Sequence, residues 1–228
     1  MYNGKKIIVV IPARYGSKGV PHKNLRVIKG QPLFMHSVDY AKESRYVDAI
    51  LVSSDSPEIL EKAHASGCVP NDLRPAELAS DTARNIDVIL WELANQPEKY
   101  DAMVQLQPTY PIRPTGELDA MIERYFEYGE TSLITVIKSY ARPEFMRRIT
   151  ADNKLEKIMT TTSEVRRQNF VQYYKIVGSV YINNVHTMTT NTILNENEIP
   201  YVLDEKYSID IDTENDWREL VANTWSQI

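Results

Sequence analysis

Two aspartates near the end of the chain have a spacing that suits a metal site. Asp210 and Asp212 alternate with isoleucines in the segment Tyr207–Thr213. On a strand, residues two apart point to the same face, so both carboxylates would converge while the isoleucines are buried behind them. Mg²⁺ prefers oxygen ligands that leave room for water and phosphate. The pair therefore predicts a magnesium site; the alternative, Asp212 as a helix cap before Thr213, leaves Asp210 unexplained.

A loop rich in cations and glycine follows the first apolar run. This phosphate loop, Pro12–Asn24, contains Arg14, Lys18 and Lys23 together with two glycines and a serine. Glycines let backbone N–H groups approach phosphate oxygens, and the cations offset phosphate charge. The loop matches neither G-x-x-x-x-G-K-[ST] nor G-x-G-x-x-G, so a P-loop and a dinucleotide cofactor are unsupported. It predicts a phosphate site, with a solvated basic loop as the alternative.

Three further polar segments could contribute to a ligand site. The facing loop, Leu73–Ala83, is polar and offers Ser80 and Asp81 as prospective helix caps. Gln107 would stand at the carboxyl end of a buried strand, where an amide can bind a hydroxyl or acetamido group. The pair Arg166–Arg167 could hold a carboxylate in two parallel bonds, or could be an ordinary surface pair. The four histidines have no metal-like spacing.

Alternating strand and helix patterns separate these segments. Apolar, β-branched runs predict central strands buried on both faces, and apolar residues at helical spacing predict the helices between them. The order predicts an α/β fold with a doubly wound, mostly parallel sheet, in which ligands collect at the carboxyl ends of the strands. The predicted strands are Lys5–Ile11, Ile50–Asp55, Ala102–Leu106, Ser132–Ile137 and Gly178–Ile182, and the predicted helices are Leu33–Ser44, one starting at Pro57, Ile86–Leu93, Glu117–Tyr128 and Glu214–Gln227.

One long segment breaks the alternation. Residues from about Ser139 to Lys175 are rich in charge, threonine and tyrosine, and no clean helix repeat emerges there. A stretch of that length is expected to be an arm, a lid or an oligomer contact rather than a bare loop. Since no internal repeat or linker divides the chain, we predict a single domain over residues 1–228, with residues 139–175 as its arm.

Composition excludes several classes of partner. The net charge is −5 and no stripe of lysine or arginine dominates, so binding to nucleic acid has no electrostatic basis. Cys68 is the only cysteine, which rules out an intrachain disulfide and fits a reducing compartment. The apolar run Ile7–Ile11 is too short for a signal peptide or a membrane span. We therefore expect a cytoplasmic protein without a membrane partner.

Together, these motifs resemble the acylneuraminate cytidylyltransferases, or CMP-sialic acid synthetases, and their legionaminic-type relatives. The matching stretches are IPARYGSKGVPHKN, LRPAELASDTA, LQPTYPIRP, RRQNF, GSVYIN and SIDIDTENDW. They occur in the family's order and span Ile11 to Trp217. Synthetases for the eight-carbon acid of lipopolysaccharide share the first loop only loosely and lack the GSKG segment. The resemblance implies a Rossmann-like nucleotidyltransferase fold with a dimerisation arm.

The resemblance also implies a role for each site residue. The substrates would be CTP and a nonulosonic (sialic-acid-type) sugar acid, with Mg²⁺ as cofactor, and the enzyme would be a homodimer with composite sites. The CTP phosphates and ribose would be held by Arg14, Ser17, Lys23 and Asn24, and cytosine would be contacted by backbone groups of Arg74 and Ala83. The sugar would be bound by Gln107, Tyr181 and Arg167. The metal would be held by Asp210 and Asp212. Of these, Arg14, Lys23 and Asp212 would be catalytic.

Departures from the family pattern leave the identity of the sugar acid undetermined. Val177 stands where relatives acting on N-acetylneuraminate often have asparagine, Thr190–Ile193 replaces adjacent aromatics, and Phe145 lies where some relatives have a basic residue. The alternatives are the same chemistry on a legionaminic-type or eight-carbon acid, a nucleotide-binding regulator without turnover, and a purely structural oligomer. The aspartate pair favours the enzyme over a regulator, which would not need it.

Overall fold

A six-stranded sheet forms the centre of the molecule. The computed structural model describes residues 1–159 and 171–224. The strands lie in the order β10-β6-β9-β5-β1-β4, and β9 runs antiparallel to both of its neighbours while the remaining pairs are parallel. The predicted α/β fold with a mostly parallel sheet is confirmed. The sheet strands are β1 (Ile7–Pro12), β4 (Ala49–Ser53), β5 (Ala102–Leu106), β6 (Ser132–Ser139), β9 (Tyr173–Asn184) and β10 (Ile199–Leu203).

Helices cover both faces of the sheet, as the continuous apolar runs predict. Along β1, Ile7, Val9 and Ile11 face one apolar cluster, whereas Ile8 and Val10 face a second. The first cluster packs under α1, α2 and α5, and the second packs under α4. These helices span Leu33–Lys42 (α1), Pro57–Ala65 (α2), Asn85–Ala94 (α4) and Glu117–Glu127 (α5), and a short α3 spans Ala76–Ala79.

An irregularity in β9 shapes the sheet where polar side chains gather. The pairing of β6 with β9 shifts register between Ile134 and Val136. Thr135 stabilises this bulge, because its hydroxyl donates to the Val177 carbonyl and accepts from the Val180 N–H at 3.2 Å. Gly178 and Ser179 therefore leave the ladder in the middle of the strand.

The end of the chain differs from the sequence-based prediction. The carboxylate segment, Tyr207–Thr213, is not a strand: only a 3₁₀ turn, Glu205–Tyr207, precedes an irregular stretch. The alternation of isoleucine and aspartate imitates a strand, but Ile211 instead donates its N–H to the Thr109 carbonyl at 2.9 Å. Helix α6 covers Glu214–Glu219 and continues as a π-helical turn, Leu220–Thr224.

The described part of the predicted arm contains a small hairpin. Strands β7 (Arg147–Ile149) and β8 (Leu155–Lys157) pair only with each other, as do β2 (Val27–Ile28) and β3 (Gln31–Pro32) after the phosphate loop. The regular strands reach into the predicted arm at both ends, since β6 ends at Ser139 and β9 begins at Tyr173. Within residues 1–159 and 171–224, none of the helices combines the length and apolar character that crossing a membrane requires.

Candidate active site

The phosphate loop and the facing loop are joined by ion pairs. The Arg14 guanidinium lies 2.8 Å from one carboxylate oxygen of Asp81, and the Lys18 ammonium lies 2.7 Å from the other. Arg14 also donates to the Ala79 carbonyl at 3.2 Å. The two cations hold the pKa of Asp81 below its usual range. The phosphate loop after β1 and the facing loop after α2 therefore lie against each other, joined by these ion pairs.

The predicted helix caps in the facing loop are wrong. Helix α4 begins at Asn85 with Arg84 as its N-cap residue, and Arg84 makes no capping bond through its side chain. Asp81 instead pairs with Arg14 and Lys18. The sequence suggests a cap because serine and aspartate precede an apolar run. The ion pairs instead depend on contact with the phosphate loop, which lies more than sixty residues away in the sequence, and a local pattern does not reveal such a contact.

Lys23 and Asn24 are buried at the end of the phosphate loop. The Lys23 ammonium donates to the Ile211 carbonyl and lies 3.4 Å from an Asp212 carboxylate oxygen. The Asn24 amide nitrogen donates to the Arg14 carbonyl at 2.8 Å, which fixes the path of the loop. Half-buried Ser17 lies between these anchor points. The structure thus brings the predicted phosphate-binding residues and one predicted metal ligand together.

Gly19 is where the phosphate loop and the carboxylate segment touch. A Cβ atom at this position would lie 1.8 Å from the Asp212 carbonyl oxygen, a separation that no side chain tolerates. The other glycine of the loop, Gly16, has open space where a Cβ atom would lie. The Asp212 backbone can therefore lie this close to the phosphate loop only because residue 19 lacks a side chain.

Asp210 and Asp212 lie in different environments. Asp210 is half-buried, and its Oδ1 has no hydrogen-bond partner within the described ranges, whereas the Asp212 side chain is 73% exposed. Burial raises the pKa of Asp210, and the neighbouring Asp212 raises it further, while the Thr109 and Tyr110 hydroxyls and Lys23 oppose the shift. An unpaired buried carboxylate oxygen next to an exposed carboxylate fits a hard cation.

The cap of α6 leaves Asp212 free for such a role. Thr213 is the N-cap residue, and it forms a reciprocal capping box with Asp216. The alternative interpretation of Asp212 as the helix cap is therefore wrong. In the part of the chain that the structure describes, there is no group of three or more His, Cys, Asp or Glu side chains that could hold a metal ion. Asp210 and Asp212 could hold Mg²⁺ only with water or ligand oxygens completing its shell.

Arg74 is a structural residue through its side chain. It is buried, and its guanidinium donates to the Ser53 hydroxyl at 2.9 Å and to the Ser53 carbonyl at 2.6 Å, at the end of β4. Burial lowers the pKa of Arg74 to about 10, and the buried carboxylate of Glu92 opposes this shift. The Arg74 N–H also donates to the Ser54 carbonyl at 2.8 Å, so its backbone carbonyl is the main-chain group left for a ligand. Ala83, at the other end of the facing loop, is half-buried and donates its N–H to the Ser80 carbonyl at 3.3 Å.

A cavity of about 320 Å³ opens beside the end of β5. Gln107 and Tyr181, both predicted to bind the sugar, line it together although they are far apart in the sequence. The Tyr181 hydroxyl donates to the Asn195 side chain at 2.8 Å, and burial raises the pKa of Tyr181 to about 12. The complete lining consists of Arg84, Asn85, Ile86, Gln107, Tyr181, Thr192, Ile193, Leu194 and Asn195.

Gly178 shapes the wall of this cavity. A Cβ atom at Gly178 would lie 2.6 Å from the Tyr181 hydroxyl and 3.2 Å from the Gln107 amide oxygen. Sequence reasoning did not identify Gly178 as a site residue, although a glycine inside a strand pattern is the signal of a bulge or close approach. It also missed Arg84 and Asn195, for which no local signal exists. Arg167, predicted to assist at the sugar, lies outside the described residues.

Comparison with known proteins agrees with this geometry. The family model described as Cytidylyltransferase matches residues 8–214. The chain is 32% identical over 217 residues to a CMP-N,N'-diacetyllegionaminic acid synthase of Legionella pneumophila, covering 93% of each chain. It is 26% identical to an N-acylneuraminate cytidylyltransferase of Streptococcus agalactiae, with 96% of this chain covering 53% of that protein.

A solved structure shares the fold. It is a CMP:2-keto-3-deoxy-manno-octonic acid synthetase complexed with CTP, and it superposes with a TM-score of 0.70 at 16% identity. The match covers 98% of this chain and 100% of that one. At this identity the likeness concerns the fold alone, whereas the family model spans nearly the whole length of the chain. The protein belongs to the cytidylyltransferase family.

Proposed function

We propose that the protein transfers CMP from CTP to the anomeric hydroxyl of a nonulosonic acid. The observation that supports this proposal is how three features lie together. The cationic phosphate loop contacts the carboxylate segment at Gly19, and the cavity lined by Gln107 and Tyr181 opens beside the end of the neighbouring strand β5. A triphosphate needs the cations, a metal needs the carboxylates, and a polar sugar needs a cavity with amide and hydroxyl groups. The relatives named for sialic-acid-type and legionaminic-type substrates support this class of acceptor.

The reaction requires positioning and charge neutralisation more than covalent chemistry. The anomeric oxygen attacks the α-phosphorus, the bond from this phosphorus to the bridging oxygen breaks, and pyrophosphate leaves with the electron pair as the hydroxyl proton is released. Arg14 and Lys23 stabilise charge that develops on the departing pyrophosphate. Mg²⁺, when bound by Asp210 and Asp212, supplies further neutralisation of the phosphate oxygens.

The nucleotide base is held by backbone groups of the facing loop. The Arg74 side chain is bonded to Ser53, and the N–H groups of Arg74 and Ala83 donate to the Ser54 and Ser80 carbonyls, so the backbone carbonyls of Arg74 and Ala83 are the main-chain groups left to bind cytosine. Such a site selects cytosine over other bases, because a wrong base leaves polar atoms of the site without hydrogen-bond partners, and this lowers its affinity. UTP is the nearest competitor, because it differs only at the exocyclic group and the neighbouring ring nitrogen.

The arm supports a homodimer. Large apolar side chains of the arm are strongly exposed in the single chain, including Tyr140, Ile149 and Leu155, each at least 71% exposed. Solvent exposure of so many large apolar groups is unfavourable, and burial against a second copy of the chain relieves it. In this arrangement the arm brings Arg167 to the sugar acid of the partner, where a guanidinium can hold the carboxylate in two parallel bonds.

The experiment is pyrophosphate release from each of the four ribonucleoside triphosphates across a panel of acids. The panel contains N-acetylneuraminate, a diacetyllegionaminate and an eight-carbon ulosonic acid. We expect release from CTP with a nine-carbon acid and little from ATP, GTP or UTP. Equal use of all four nucleotides would contradict the proposed base site. CTP binding without turnover on any acid would instead favour a nucleotide-binding regulator.

A further inference from the structure

An arginine outside the predicted site lies directly behind the cavity wall. Arg113 follows β5 in a proline-rich loop and is only 8% exposed. Its Nη2 donates to the Gln107 carbonyl at 2.6 Å and to the Ser179 carbonyl at 3.2 Å. Its Nη1 donates to the Ser37 hydroxyl of α1 at 3.1 Å. One planar guanidinium thus connects β5, the bulge of β9 and a helix.

The charge of Arg113 is compensated by dipoles rather than by a carboxylate. Within residues 1–159 and 171–224, Arg113 forms no salt bridge. Burial lowers the pKa of Arg113 to about 10, so the side chain remains a cation at neutral pH. A buried cation is unstable unless fixed polar groups solvate it. The carbonyls of Gln107 and Ser179 meet this need only while they stay in place, so the charge and the two backbone segments constrain each other.

These two backbone segments carry the side chains of the cavity wall. Gln107 projects its amide into the cavity, and Ser179 is adjacent to Gly178, whose missing side chain makes room for Gln107 and Tyr181. Direct pairing between the segments is weak at this point, since the Gln107 N–H reaches the Ser179 carbonyl at 3.4 Å. The guanidinium supplies the firmer connection.

We propose that Arg113 is a positioning residue for the acceptor site: its guanidinium clamps the Gln107 and Ser179 carbonyls and so fixes the side chains that bind the sugar acid. This inference rests on the proposed function. It distinguishes the two substrates, because the guanidinium acts on β5 and β9, whereas the proposed CTP-binding groups lie on the phosphate loop after β1 and on the facing loop after α2. Loss of the clamp therefore weakens binding of the sugar acid and leaves binding of CTP nearly unchanged.

The test compares Arg113→Lys with Ser37→Ala in pyrophosphate release. Lysine keeps the charge but cannot serve both carbonyls and Ser37 in one plane. We expect Arg113→Lys to raise KM for the sugar acid about tenfold or more and KM for CTP less than about twofold, since small misplacements of binding groups are costly. Ser37→Ala removes only the bond to α1, so both constants should stay within about twofold of wild type.

Amide hydrogen exchange provides a readout that does not depend on activity. Arg113→Lys should speed exchange in peptides covering residues 105–110 and 177–182, and Ser37→Ala should not. Equal increases in both KM values, or slower turnover without faster exchange, would overturn the positioning role. If the wild-type protein turns over no sugar acid, the proposed function fails, and the exchange experiment alone then decides whether Arg113 holds the two segments.

Discussion

At the scale of single residues, the cations of the phosphate loop are already paired before a nucleotide arrives. Arg14 and Lys18 share the Asp81 carboxylate, and Lys23 contacts Asp212 and the Ile211 carbonyl. A triphosphate must therefore compete with protein carboxylates rather than with water alone. The pairs keep long, flexible side chains in one arrangement, which reduces the entropy that binding must remove.

The metal proposal is tested by Asp212→Asn. The side chain is 73% exposed and does not cap α6, so the substitution should leave the fold intact. Loss of one charged ligand should lower kcat by about a hundredfold or more, because metal stabilisation of phosphate charge amounts to several kcal/mol. Steady-state kinetics over a Mg²⁺ titration measure this. Asp204→Asn is the control, because Asp204 is exposed and its side chain makes no capping bond. A folded Asp212→Asn protein with wild-type turnover would remove Asp212 from the metal site.

Lys23→Ala tests the phosphate role of the buried lysine. Loss of a charge-assisted contact costs about 1.5–3 kcal/mol, or roughly ten- to more than a hundredfold in kcat/KM for CTP. The matched control is Lys42→Ala, since Lys42 is an exposed lysine at the end of α1. An unchanged kcat/KM in Lys23→Ala would mean that Lys23 only anchors the carboxylate segment.

At the scale of elements, the contact of Gly19 with Asp212 couples two loops from opposite ends of the chain. Gly19→Ala would place a methyl group 1.8 Å from the Asp212 carbonyl, so one loop must move. We expect a loss of about 1–3 kcal/mol in the free energy of unfolding, as for other overpacked sites, together with lower kcat/KM for CTP. Urea denaturation and initial rates measure the two effects.

Gly16→Ala provides the matched control for this prediction. It lies in the same loop, and a Cβ atom there meets nothing within 4 Å. Its free energy of unfolding should therefore stay close to that of the wild type. If both alanine variants unfold alike, the contact with Asp212 does not require glycine at position 19.

How far the sequence predicts this molecule depends on how local each signal is. Runs such as Ile7–Ile11 and Ala102–Leu106 identify buried strands, because burial on both faces requires continuous apolar residues. The alternation of isoleucine and aspartate at Ile209–Asp212 wrongly predicts a strand. Its period matches a strand, but the Ile211 N–H donates to the Thr109 carbonyl and the segment joins no sheet. Asp81 and Arg113 could not be assigned, because their partners are set by tertiary contacts rather than by neighbouring residues.

At the scale of the whole molecule, the hairpin of the arm is expected to lie in the dimer contact. Ile149 is 71% exposed at the end of β7, and a lysine there would place a charge into a surface that association buries. Ile149→Lys should therefore shift the protein from dimer to monomer in sedimentation velocity. Val202→Lys is the control, because Val202 is also exposed but lies on β10 rather than on the hairpin. A monomeric wild-type protein at assay concentration would contradict the dimer proposal.

Sharing of sites between subunits has its own test. Arg167→Ala and Asp212→Ala each disable a different component of the proposed site. If the arm completes the partner's site, a mixed dimer contains one intact site, and mixing the two inactive proteins should restore part of the activity. Subunit exchange is followed independently with differently tagged chains. Exchange without any recovered activity would show that each subunit builds its own site.

The position of β9 has a consequence for the growing polypeptide on the ribosome. β9 lies between β5 and β6 in the sheet, although both are made long before it. Until Asn184 has emerged, the half-sheet β4-β1-β5 and the strand β6 each present an apolar edge that lacks its neighbour. Nascent chains that stop short of β9 are thus prone to aggregate. Completion of β9 joins the two parts into one sheet, and β10 and the cavity residues Thr192–Asn195 are added only afterwards.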